Sequence, residues 1–104
     1  MLRDSRFVYP AARSPIFEER IKAVACLAFL WSEEGIGLLR DMILTDPEPS
    51  VRQSALWGYG FAGGEGAHGL LQMRAESDPD SRTRAVFMAM QACLEVNNGL
   101  WWKV

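Results

Sequence analysis

Asp46-Pro47 recurs 32 residues later as Asp78-Pro79, and this interval constrains the fold more than any other feature of the chain. The same step backwards reaches Ser14-Pro15, and it relates Arg20, Arg52 and Arg84, each six residues after the residue that opens its segment. Laying 14–45 over 46–77 aligns Pro15, Arg20, Ala23, Phe29, Glu33, Gly37, Leu38 and Leu39 with identical residues. Self-similarity at a fixed period of this length is the mark of stacked repeats, in which one small unit cannot bury its apolar face alone. The frame divides the chain into units 1–32, 33–64 and 65–96 with a tail 97–104, forming one domain. At 104 residues there is enough chain for one core and too little for two.

Each unit reads as two helices. Ile36, Leu38, Leu39, Met42 and Ile43 share one arc of a helical wheel, and the pattern stops at Asp46-Pro47-Glu48-Pro49. Proline cannot continue a helix interior but suits the first turn of the next helix, where Asp or Ser can cap. A second helix follows over about 50–62, with Val51, Ala55, Gly58, Tyr59 and Ala62 on one side, and Gly63-Gly64 ends it. The third unit repeats the plan, with helices over 65–76 and 81–96. In the first unit 16–31 is a helix, whereas 1–13, broken by Pro10, is a degenerate cap or an extended arm. No segment alternates with the period of a strand, so the fold class is all-α.

The phrase Asp-Pro-Glu-Pro-Ser-Val-Arg-Gln-Ser-Ala at 46–55 resembles the HEAT-like repeat, especially the short form also seen in phycobilisome lyase subunits. Asp46, Val51 and Arg52 match that family's pattern. Asp78 and Arg84 match in the next unit, where Thr83 replaces the valine, and only Pro15 and Arg20 match in the first. The resemblance implies a right-handed α-solenoid of about three two-helix repeats, with the second helices lining its concave face. It implies no reaction, since such repeats serve scaffolds, adaptors and a few enzymes.

Composition narrows the function classes. Eleven basic against 13 acidic residues leave a net charge of −2, so nothing favours neutralising a phosphate backbone. Arg40, Arg52, Arg74, Arg82 and Arg84 are interleaved with Glu33, Glu34, Asp41, Glu65 and Glu76, and no basic stripe results. The longest apolar run, Ala23 to Trp31, is about half of a membrane span. Met1–Arg6 leads into no apolar signal core. Cys26 and Cys93, 67 residues apart, form neither a disulfide framework nor a metal spacing; they suit a reducing cytoplasm and read as buried apolar residues. His68 is the single histidine and occupies the place of Ile36 in the preceding unit, so a partly buried structural imidazole is expected. No metal site and no cofactor are expected.

Gly64-Glu65-Gly66-Ala67-His68-Gly69 spells the dinucleotide fingerprint, but that motif needs a preceding strand, and here the glycines form the exit of a helix. The repeated Asp46/Arg52 and Asp78/Arg84 read as a structural ladder, each Arg tying the turn of its own or the adjacent unit. A catalytic pair has no need to recur, and arginine is no ordinary base. Aromatic residues carry the binding signal: Trp57 and Phe61 share a face with Ser50, Gln53 and Ser54, opposite the core side of their helix. The helix 81–96 is apolar nearly all round, with only Gln91 and Glu95 polar after Ala85. Leu100-Trp101-Trp102 folding back, or a second copy, would have to cover it.

The expected function is a non-enzymatic interaction or scaffold module. Its partner is a protein met by Gln53, Trp57, Phe61, Trp101 and Trp102, with a homodimer through the C-terminal helix and tail. The alternatives are a lyase-like chromophore-binding subunit holding a tetrapyrrole against the aromatic stripe and, behind it, a DNA-acting enzyme of the kind some relatives by fold represent.

Overall fold

The computed structural model describes residues 7–101. Within them the chain forms α1 (Val8–Ala11), α2 (Phe17–Leu30), α3 (Glu33–Thr45), α4 (Pro49–Phe61), α5 (Ala67–Ser77) and α6 (Ser81–Val96), with no strand among the described residues. Each boundary has a local cause. Ser32 accepts a hydrogen bond from the Gly35 backbone N–H at 3.0 Å and starts α3; Asp80 does the same for Thr83 at 2.8 Å and starts α6. Pro49 stands in the first turn of α4, where its missing N–H costs nothing. Gly63 and Gly66 take φ of 78° and 71° in the α4–α5 connection, a region that glycine enters without steric penalty. The expected glycine exit is thus the turn between two helices.

Of the degenerate first segment, residues 1–6 lie outside the described residues, and the described part forms a single helical turn. Pro10 lies within it, and none of its four residues is buried. It packs on α2, while α3 packs on α4 and α5 on α6. The hairpins are joined because α2 packs on both α3 and α4, and α4 meets α5 and α6. The molecule measures 36 × 30 × 18 Å. One core runs through it, with Leu27, Leu39, Ile43, Val51, Leu56, Leu71 and Phe87 essentially out of solvent. These come from every long helix, which is how stacking supplies an interior that no single hairpin has. The helices α4 and α2 approach closely at glycine: a Cβ at Gly58 would stand 3.3 Å from Val24, a tight contact, and 3.6 Å from Ala28.

Several expectations are corrected by packing. Cys26 and Cys93 are exposed free thiols. Their helices are apolar on more sides than the solenoid buries, so apolar neighbours in sequence did not mean burial. His68 is exposed as well, although its counterpart Ile36 packs against the core. No helix among the described residues is long and apolar enough to cross a membrane.

Candidate functional site

Two features stand out on this scaffold: a ladder of arginine and aspartate through its interior, and an apolar groove along its second helices.

The ladder follows one rule. Arg20 donates through Nη1 to the Ser14 carbonyl at 2.8 Å, Arg52 to the Asp46 carbonyl at 2.7 Å and Arg84 to the Asp78 carbonyl at 2.6 Å. Each guanidinium thus holds the turn six residues before it. The remaining fork reaches into the next unit. Arg20 donates through Nε and Nη2 to Asp46 at 2.8 and 2.9 Å, and Arg52 to Asp78 at 2.8 and 3.0 Å. These are bidentate, charge-assisted pairs, the geometry for which the planar guanidinium is suited. Arg20 and Arg52 therefore tie both turns, their own through a carbonyl and the adjacent one through a carboxylate, while Arg84 ties only its own. The aspartates also order their own loops, accepting from the N–H of Glu48 and of Asp80 at 3.0 Å.

The Arg52–Asp78 rung is the more deeply buried. Arg74 adds a second cation, 2.9 Å from Asp78 and one helical turn before it. Burial by itself pushes the Asp78 carboxyl up, but hydrogen bonds from Arg52, the Asp80 backbone and Arg74 outweigh it and hold the group below its ordinary value. The hydrogen bonds to the carboxylates raise Arg52 and Arg20 in turn. Arg74 has no counterpart in the preceding unit, where Met42 stands, so the repeat could not reveal it; its i,i+4 spacing from Asp78 was the available signal.

The groove is lined by Ile21, Ala25, Ala28 and Phe29 of α2, by Gln53, Ser54, Trp57, Gly58 and Phe61 of α4, and by Val86 and Met90 of α6, with a volume of about 650 Å³. It lies along the second helix of all three units. Small residues form its floor, and aromatic rings stand along it. Phe29 and Phe61, identical residues 32 apart, meet edge to face with centroids 5.6 Å apart. Trp57 remains 41% exposed. None of the described lining side chains titrates; Gln53 and Ser54 supply the polarity. Gln53 donates to the Thr83 hydroxyl at 2.9 Å, which bridges α4 and α6.

The structure brings Gln53, Trp57 and Phe61 to one surface and takes Trp101 elsewhere. Trp101 is 5% exposed and packs inside the chain, so it offers no surface to a partner. Its indole meets Trp57 and His68 edge-on at 5.5 and 5.3 Å. It lies flat over Gly60, where any Cβ would collide with the ring. His68 Nε2 is 3.0 Å from the Gly99 carbonyl and helps to seat the turn that delivers Trp101. Trp101 thus folds back onto α4 and α5 and leaves Met88 of α6 exposed, against the expectation that the tail or a second copy covers α6. Trp102 lies outside the described residues. Gly64–Gly69 follow a helix and start another, with no strand before them among the described residues. No group of three His, Cys, Asp or Glu side chains among the described residues is placed to hold a metal ion.

Paired helices stacked in register, with equivalent arginines bridging successive units, define an α-solenoid. The chain matches the family model for HEAT repeats over residues 6–91, and it belongs to that family. No curated protein and no solved structure matches it.

Proposed function

We propose that the chain is a non-catalytic protein-interaction module whose recognition surface is the concave groove. The carrying observation is the composition of that groove: a half-exposed indole at Trp57, the Phe29–Phe61 pair and a floor of alanine and glycine, with no acid or base in the described lining. Such a surface fits apolar side chains projected from a helix, and a tryptophan with a polar neighbour is the usual kind of anchor. Membership of the HEAT family supports the reading, because repeat solenoids offer extended concave faces for binding. Arg52 and Arg74 are taken up by Asp78, which speaks against a phosphate-binding stripe. The narrower expectation of a homodimer through the C-terminal helix and tail keeps only the helix, since Trp101 is engaged within the chain.

The test is comparative capture. Proteins retained from a cell extract by the wild-type chain and by a Gln72→Ala control on α5 should be lost with Trp57→Ser. Equal circular-dichroism melts would show that all three are folded. Identical retention by the three would remove the groove as the recognition surface.

A further inference from the structure

In α2, α4 and α6, one line of side chains faces the unit that follows. It comprises Arg20, Val24 and Ala28 in α2, then Arg52, Leu56 and Gly60 in α4. In α6 the same positions are Arg84, Met88 and Ala92. The first two lines are covered: Val24 is 4% exposed and Leu56 0%, and Gly60 lies beneath Trp101. The third is not. Met88 is 54% exposed, and Ala92 is exposed. Arg84 is half-buried and holds its own turn through Nη1, but among the described residues its Nε and Nη2 have no carboxylate. The two inner rungs show what this fork accepts: a bidentate carboxylate delivered by whatever packs on the helix.

Eleven residues after Arg84, on the same line of α6, stands Glu95, also exposed and without a side-chain partner among the described residues. A helix carrying Arg, Met, Ala and Glu at intervals of four, four and three is complementary to itself when antiparallel. Arg84 meets Glu95 of a second copy at both ends, and Met88 of each lies over Ala92 of the other. Head-to-tail stacking lacks this match. There the incoming copy would bring Ser14 where the ladder needs an aspartate, and Glu19 and Lys22 where the inner units carry Val51 and Ser54. A neutral hydroxyl cannot fill the fork, and two further charges would replace small or apolar residues on the incoming helix.

We infer that α6 pairs with α6 of a second copy in a two-fold, antiparallel arrangement, with Glu95 of each copy completing the open Arg84 rung of the other. This goes beyond the groove reading and rests only on the chain being an interaction module. Sedimentation equilibrium of the 104-residue chain from micromolar to about millimolar concentration tests it. The expected result is a reversible dimer whose dissociation constant rises about tenfold or more in Arg84→Glu and in Glu95→Arg. The charge-swapped double variant should return to near the wild-type value. Circular-dichroism melts check that each variant is folded, and Trp57→Ser should leave the dimer unchanged. A wild-type chain monomeric throughout overturns the inference and leaves α6 to a partner of another sequence. A dimer indifferent to both charge reversals, or not recovered by the swap, overturns it as well. Neither result touches the groove, which the Trp57→Ser capture decides separately.

Discussion

The two ends of the solenoid are built from equivalent positions and have opposite characters. At the leading end Ser14 replaces the aspartate of the later units. It keeps the local role, accepting from the Ile16 N–H at 3.1 Å as Asp46 and Asp78 accept from theirs. It gives up the role between units, since it offers one neutral oxygen and turns that hydroxyl to Glu19 at 2.6 Å. Exposed Glu19 and Lys22 put charges on this end beside exposed Phe7 and Ile16, with α1 laid on α2. At the trailing end the ladder residue Arg84 is retained, and Met88 and Val96 are 54% and 88% exposed. The lesson is that capping a repeat takes few changes. Exchanging aspartate for serine and two small or apolar residues for charged ones closes one end, and the lack of such changes leaves the other receptive.

The largest expected effect lies between the ends. Asp78→Ala removes a carboxylate with no solvent exposure and strands Arg52 and Arg74, at a cost of about 3–5 kcal/mol in urea denaturation. The same site sets a pH dependence. The native Asp78 carboxyl is held below its ordinary 3.8, so on acidification the unfolded chain takes up the proton first. The stabilisation is therefore full above about pH 5 and fades as pH falls through and below the unfolded value. Asp78→Asn should flatten that acid limb. A wild-type acid limb as flat as the variant's would show that the rung adds nothing at neutral pH.

Leu56 and Met88 give the next contrast, being the same repeat position covered and uncovered. Leu56→Ala should cost about 2–5 kcal/mol through the cavity it leaves, and Met88→Ala within about 0.5 kcal/mol at concentrations where the chain is monomeric. Equal losses would mean that α6 is covered within the chain and that the asymmetry is false. Arg84→Ala should cost about 1–2 kcal/mol, the worth of its single bond to the Asp78 carbonyl. The smallest effect belongs to the leading rung: Ser14→Asp should shift stability by no more than about 0.5 kcal/mol, since it touches no completed inter-unit pair; a loss like that of Asp78→Ala at either position would erase the distinction.

The fold was legible because the 32-residue spacing places proline, aspartate and paired leucines where helices must begin, end and face inward. Phe29 and Phe61 are identical in sequence and touch in space for that reason. The site was legible in part. That Gln53, Trp57 and Phe61 share a face followed from helical periodicity, which is local. The repeat left open whether Arg52 ties its own turn or the adjacent one; that it does both, reaching a carboxylate 26 residues onward, depends on how one hairpin sits on the next. Nor could it reveal Trp101, whose seat is the absence of a side chain at Gly60. Exposure of Cys26 and Cys93 was hidden by the same limit: a helix apolar on several sides does not announce which side its neighbours occupy.

The arginine rule has an arithmetical consequence. When every module contributes one cation that looks forward and one anion that is looked at from behind, interior charges cancel pair by pair. An array of any length then leaves one unpaired anion at its first module and one unpaired cation at its last; here Ser14 stands in place of the first anion, and only the positive group at the final module remains. Lengthening such an array by duplication would move that group outward without changing it, so the polarity of growth is written into the chemistry of each copy.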